Sequence, residues 1–249
     1  LWSSAEQQQN YLPGVPEGSD LCLTPLSAPE NHYVRIHADN RIDERGTLRG
    51  RFTITAEGQS DSNIRRIFTT GWQSDWKNSL EKQLLAVSPK AKLLRVDYGK
   101  NPKDYQAAPI RITFSYEIPG YAIIAGDRML LKPLVMNNLY NQVKSFLRIN
   151  TDLETRQYGF KDGCSRLVEQ EETIRVPKGY TLINTPRNDN WRSQAADFEG
   201  SLSQGKQQEI ILRQRLALKK RVYDAADWEG FRTAVNAYKS YGEYIMIKR

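Results

Sequence analysis

The sequence predicts a mainly β fold with a few helices: an antiparallel β-sandwich of the large type, with two short helices after the first hairpin and one C-terminal helix. Three observations predict it. Ile110, Ile112, Phe114, Tyr116 and Ile118 alternate with Arg111, Thr113, Ser115 and Glu117, the pattern of a sheet with one dry and one wet face. Most other long stretches repeat that period of two. Only three segments carry an apolar stripe at helical spacing, and long strands with few helices favour a sandwich.

Taken in order, Leu1 to Asn31 is punctuated by Pro13, Gly14, Pro16, Gly18, Pro25 and Pro29, a turn density that excludes a long helix. Residues 1–30 therefore read as a linker or strap, and residues 31–249 as the sandwich module. Val34 and Ile36 alternate with Arg35 and His37, Phe52 and Ile54 with Arg51 and Thr53, and Arg41 to Gly46 forms the turn of a first hairpin. A helix follows, with Ser60 or Asp61 as cap, Ile64, Ile67 and Phe68 on one face, and Gly71 at its end. Ser74 caps a second, which carries Trp76, Leu80, Leu84 and Val87 and stops at Pro89.

Leu94, Val96 and Tyr98 form the inward face of the next strand, and 110–118 its neighbour. Further strands are expected at 167–176, 180–183, 191–202, 207–222 and 244–247. The last helix is the clearest: Asp224 as N-cap, Asp227 in the first turn, Trp228, Phe231, Val235 and Tyr238 on one face, and Gly242 at the C-terminal cap.

Lys and Arg exceed Asp and Glu by 36 to 29, a formal charge of +7. The excess lies late in the chain, with 21 basic against 15 acidic side chains in residues 126–249 and 15 against 14 before them. Such a field steers encounters more than it defines a partner. The basic run Arg213, Arg215, Lys219, Lys220, Arg221 lacks the interleaved aromatics that stack bases, so nucleic acid is not an expected partner. In a strand, Arg213, Arg215 and Lys219 share the solvated face with Ala217 while Leu212, Leu216 and Leu218 line the other, and Glu169, Glu171 and Glu172 are expected to face those arginines across the sheet. No apolar run approaches the roughly 20 residues that span a bilayer, which excludes an integral membrane protein threaded by helices.

Cys22, His37 and Asp39 fall in one short window, but Cys22 sits in a Pro-rich extended segment where no helix start lowers a thiol pKa, and His37 lies on a wet strand face. The expectation is a structural cysteine and a solvent-facing histidine. Cys164 has no histidine near it in sequence and reads the same way. A Cys22–Cys164 bridge stays open. With only His32 and His37 besides these cysteines, no metal-ligand spacing is present, and neither metal nor cofactor is expected. No Asp or Glu stands in a local setting that suggests burial. Trp72 and Trp76 read as core cover, Trp2 and Trp191 as surfaces for docking or sugar stacking.

Several stretches resemble a known family. Tyr11-Leu12-Pro13-Gly14 followed by Glu17-Gly18-Ser19-Asp20-Leu21-Cys22-Leu23 is similar to the segment leaving the catalytic domain of bacterial exported transglutaminase-like proteins. Arg45-Gly46-Thr47-Leu48-Arg49-Gly50, with Gly58 and Arg65-Arg66, resembles the opening of their uncharacterised C-terminal β-rich module. Arg156-Gln157-Tyr158, Thr173 to Tyr180 ending at Pro186, and Tyr223 to Lys248 extend the likeness over nearly the whole chain. That family runs from an N-terminal sandwich through a papain-like core to this module. The resemblance implies that catalytic residues lie ahead of Leu1 and that none is in this chain. Leu1-Trp2-Ser3-Ser4 departs from the Asp-containing motif that usually closes the core.

The implied role is a non-catalytic accessory module of a transglutaminase- or protease-like protein, periplasmic or at the cell surface. Its partners would be upstream domains of the same polypeptide, with a glycan or peptide as a further ligand class. The start at Leu1, without Met or signal, reads as part of a longer product. The alternative is a hydrolase or carbohydrate-processing enzyme with unassigned carboxylates. Trp2, Tyr11, Leu12, Leu21 and Leu23 are the expected docking residues. Leu21 to Leu23 should pack on the sandwich as an extended strand, and Trp2 to Leu12 should lie at the seam with the preceding domain.

Overall fold

Alternation builds the main sheet directly. In the computed structural model, which describes residues 6–106, 109–137, 139–206 and 208–249, the elements are β1 (Asn10–Tyr11), β2 (Cys22–Leu23), β3 (Val34–Ile42), β4 (Leu48–Ala56), α1 (Gly58–Thr69), α2 (Trp76–Leu85), β5 (Lys92–Asp97) and β6 (Ile110–Ile118). They continue with β7 (Ile123–Ala125), β8 (Arg128–Leu131), β9 (Phe160–Lys161), β10 (Arg166–Arg175), β11 (Thr181–Leu182), β12 (Arg187–Arg192), β13 (Ala196–Gln204), β14 (Glu209–Leu218), β15 (Val222–Tyr223), α3 (Trp228–Ser240) and β16 (Ile245–Lys248).

Eight strands form one sheet in the order β12-β13-β14-β10-β3-β4-β6-β5. Every pairing is antiparallel except β3 with β10, where Val34 meets Val168 and Arg41 meets Arg175. That parallel pair joins an N-terminal four-strand half to a C-terminal one. Even-numbered residues of β3, β4, β6, β10 and β14 turn to the dry face, odd-numbered ones to the open face. The second layer holds α1, α2, α3, short 3-10 turns between Leu134 and Arg148, and a four-stranded sheet β11-β16-β8-β7. The fold is thus β-rich and sandwich-like, with helices contributing to the covering layer.

Rings set the packing of that layer. Phe52 stacks on Phe114 at 5.0 Å and on Tyr140 at 6.1 Å, while Phe68, Trp76 and Tyr98 meet edge to face. Trp76 donates its indole N–H to Phe68 O at 3.0 Å. Under α3, Phe160, Tyr223, Trp228 and Phe231 form a cluster capped by the Arg156 guanidinium, 4.6 Å from the Trp228 ring.

Some boundaries differ from expectation. Helix α1 begins at Gly58, not at Ser60 or Asp61, because those side chains bind elsewhere: Ser60 Oγ donates to His32 O at 2.9 Å, and Asp61 accepts from Ile110 N at 2.7 Å and Arg65 Nε at 2.6 Å. Gly58 has φ +59°, and a Cβ there would stand 2.3 Å from Asn31 O, so only glycine starts the helix this close to the preceding turn. Ser74 lies within a 3-10 turn that leads into α2 and caps nothing.

A bulge between Leu93 and Arg95 turns Leu94 outward (58% exposed) and Leu93 toward the core. The stretch 191–202 is two strands, not one. Ser193 makes the turn, its N–H and hydroxyl both donating to Ala196 O. Likewise 207–222 splits into β14 and β15. Trp72 is 80% exposed at the end of α1 rather than covering the core. The Asp224 cap is observed, its N–H donating to Asp227 at 2.8 Å in a capping box.

Candidate functional site

The N-terminal segment is held to the module by polar groups, and its apolar side chains point away. Gln7 is fully buried; its side-chain amide stands 2.7 Å from His32 Nε2, and its carbonyl accepts from Arg221. Gln8 Oε1 accepts from the N–H groups of Arg221 and Val222 at 3.1 and 2.9 Å. Thr24 N and Gln8 N close the loop against Gln9 O and Thr24 O. Within it β1 pairs with β2, Asn10 opposite Leu23 and Tyr11 opposite Cys22.

This corrects the expectation that Leu21 to Leu23 would lie on the sandwich. Leu12, Leu21 and Leu23 are 66%, 67% and 62% exposed, and Tyr11 and Val15 are exposed as well. A two-stranded ribbon fixed by amide side chains at its base satisfies its backbone without burying those residues, so nothing pulls them inward. Trp2 lies outside the described residues.

Beneath the ribbon base is a buried polar cluster. Arg166, 1% exposed, donates to Ser60 Oγ at 3.1 Å, Ser145 Oγ at 3.3 Å, Cys164 Sγ at 3.2 Å and the Val143 carbonyl. Ser145 donates to Asp162 at 2.6 Å, and Gln59 N donates to His32 Nδ1 at 3.1 Å. Burial, then the Arg166 charge, lowers the His32 pKa from 6.5 to about 4. Burial raises the Cys164 thiol from 9.0 to about 11, so the thiol sits far from the reactive thiolate form. Both cysteines are free. In the sequence His32 follows a Pro-rich stretch that carries no sign of burial.

Cys22, His37 and Asp39 are not brought together. Cys22 touches Asp20 O on the ribbon, His37 is exposed on the open sheet face between Thr53 and Glu171, and Asp39 pairs with Arg175 at 2.7 Å. Around His37 the twisted sheet forms a shallow concavity of about 560 Å³. Its charges cancel across strands. Arg213 meets Glu171 at 3.0 Å, Glu169 lies 2.5 Å from Arg35 and 3.7 Å from Arg215, and Arg215 also reaches Glu30 at 3.2 Å. Arg213 and Arg215 therefore lie on a solvated strand face opposite their acids, as the alternation indicates, whereas Lys219 and Lys220 lie past the strand on Asp197 and Asp227, and Arg221 is buried. Exposed pairs of this kind are each worth roughly 0–1 kcal/mol.

Glu172 is the exception among those acids. It lies on the dry face of β10, fully buried, and accepts from Asn40 Nδ2 at 2.7 Å and Val135 N at 3.0 Å. Asn40 Oδ1 in turn accepts from Tyr116 Oη. A Cβ on Gly50, the residue opposite Asn40, would fall 2.0 Å from Asn40 Oδ1, so the glycine makes room for the network. Burial raises the Glu172 pKa from 4.5 to about 7, partly opposed by those hydrogen bonds. Beside it Gln170 Nε2 donates to Val135 O at 2.8 Å, and Lys144, also buried, reaches the same carbonyl at 3.4 Å. The expectation that no acid is buried thus fails. The period of β10 carried the signal, since Val168, Gln170 and Ile174 require Glu172 to face inward. Sealed from solvent, it is placed to hold the core together and not to meet a substrate. Among the described residues no group of three His, Cys, Asp or Glu is placed to hold a metal ion.

The family model described as "Domain of Unknown Function with solved-structure structure (DUF3858)" matches residues 127–244. It takes in β8 to α3 and leaves out β3 to β6, so its boundary cuts the eight-stranded sheet at the parallel β3/β10 pair. A crystal structure described as "a putative protease" from Parabacteroides distasonis shares 12% identity over 40% of this chain and 20% of its own, with a TM-score of 0.36. No curated protein matches the chain.

Proposed function

We propose that this chain is a non-catalytic accessory module of an exported transglutaminase- or protease-like protein, comprising a strap over residues 1–30 and a β-rich module over 31–249. In this reading the strap docks on an upstream domain of the same polypeptide, in the periplasm or at the cell surface. One observation carries the docking role: Tyr11, Leu12, Val15, Leu21 and Leu23 are exposed on a ribbon whose base is fixed by Gln7, Gln8 and Thr24. Several large apolar side chains held outward on one short, anchored ribbon mark an interaction surface. The family resemblance of the ribbon sequence supplies the class of neighbour.

Covering such side chains is worth about 1.5–3 kcal/mol each, so three leucines suffice to fix a domain orientation. The test is a triple substitution, Leu12→Ser, Leu21→Ser and Leu23→Ser, in the polypeptide extended to its natural start. Proteolysis ahead of the ribbon should accelerate more than tenfold while the module's own unfolding midpoint stays put. Equal proteolysis of parent and variant would end the docking reading.

A further inference from the structure

A second cavity, of about 490 Å³, opens between α1, α2 and the 3-10 turns at Asn141–Val143 and Ser145–Arg148, a size typical of small-ligand sites. Arg66 and Arg148 line it, and no carboxylate does. Arg35, Arg175 and Arg213 on the open sheet face each meet an acid. Among the described residues, Arg66 and Arg148 form no ion pair.

The amides around the cavity are arranged in the same sense. Asn63 Oδ1 is taken by Gln59 Nε2 at 3.0 Å, and Gln83 Oε1 by Tyr140 N at 3.3 Å, which leaves the two NH₂ groups as the uncommitted ends. Among the described residues Gln142 Nε2 is buried with no partner, an arrangement that costs free energy. The C-terminal carbonyls of α1 would repel an anion, but Arg66 O is already capped by Thr70 N, Thr70 Oγ1 and Thr69 Oγ1. The cavity thus presents two guanidinium groups and the Asn63 and Gln83 amide donors without an opposing negative charge.

We infer that this cavity binds a small oxyanion ligand, one carrying phosphate or carboxylate groups that the two guanidinium forks and the Asn63 and Gln83 amides share. The site shares no residue with the N-terminal ribbon and stands or falls independently of the docking role.

Titration calorimetry on the chain as described, at constant ionic strength, tests it with sodium pyrophosphate and citrate as probes and a neutral disaccharide as control. Saturable binding of either anion, with none of the disaccharide, is the expected result. Pyrophosphate alone assigns a phosphoryl ligand, and citrate alone a carboxylate. The double substitution Arg66→Gln, Arg148→Gln should weaken binding at least tenfold, and both side chains are exposed, so the urea midpoint should not move. Arg148→Glu alone should abolish binding, and it serves if the double variant fails to fold. No saturation by either anion below about 10 mM, or unchanged affinity in the variants, would overturn the assignment.

Discussion

Replacing Glu172 by Gln should alter how stability depends on pH more than stability itself. In the native protein burial holds the Glu172 pKa near 7, whereas an unfolded chain has it at the ordinary 4.5. Between those values the folded state keeps a proton that the unfolded state has released. Stability is then fully present below about pH 4.5 and is lost as pH rises through about 7. The window is about 2.5 pH units wide at about 1.4 kcal/mol per unit, so the carboxyl contributes a loss on the order of 3 kcal/mol across it. Gln cannot titrate. It can accept at only one of the two oxygens that now meet Asn40 Nδ2 and Val135 N, which costs roughly 1–3 kcal/mol at every pH.

His32 works in the opposite direction. Its pKa is depressed from 6.5 to about 4, so its contribution is present above pH 6.5 and is lost as pH falls toward 4. That slope is common to parent and variant and cancels in their difference. Urea unfolding at half-unit steps from pH 4.5 to 8 gives the two curves. The parent's advantage over E172Q should fall by about 3 kcal/mol as pH rises, from roughly 1–3 kcal/mol near pH 4.5 to nothing or a reversed sign near pH 8. Parallel curves would show that Glu172 titrates alike in both states and would refute the argument.

Lys144 is wholly buried, and burial alone lowers its pKa from 10.5 to about 8, while among the described residues its ammonium makes only a 3.4 Å reach to Val135 O. Lys144→Met should therefore raise the unfolding free energy at pH 7 by roughly 1–3 kcal/mol, read as a higher urea midpoint; a lower midpoint would show that the ammonium is better solvated than its burial indicates. Cys164 should resist iodoacetamide at pH 7 in the native protein and label only on unfolding, since it is buried with its thiol pKa near 11. Fast native labelling of Cys164, located by peptide mapping, would contradict that.

Much of the sheet was legible because its strands keep one period on one side of a layer. Ile110 to Ile118 and Leu212 to Leu218 sort inward and outward as their alternation dictates, and the capping residues of α3 stand where Asp224 and Asp227 placed them. The split at Ser193 was not legible, since the turn contains neither Gly nor Pro and Trp191 to Leu202 stays strand-like throughout. The Leu94 bulge escapes for a related reason: a one-residue slip changes faces without changing composition.

At the ribbon, apolar content is no measure of burial, because glutamines and a threonine anchor it. Glu172 was legible in principle, but its neighbours Glu169 and Glu171 made the run look uniformly wet. The oxyanion cavity was not legible at all. Its residues come from three segments that only the fold assembles, and its distinguishing property is a missing acid.

The parallel β3/β10 pair has a consequence for how this chain is made. On a ribosome the strands of the N-terminal half are complete once Ile118 emerges, yet the free side of β3 has no partner until Arg175 follows. At about 5–20 residues per second that interval lasts roughly 3–11 s, during which β3 is an open edge in a nascent polypeptide. The same seam buries Asn40 against Glu172, so the half-formed protein also exposes an amide that belongs in the core. Synthesis order thus makes this stretch the period of greatest exposure to mispairing, and a pause before residue 166 would lengthen it.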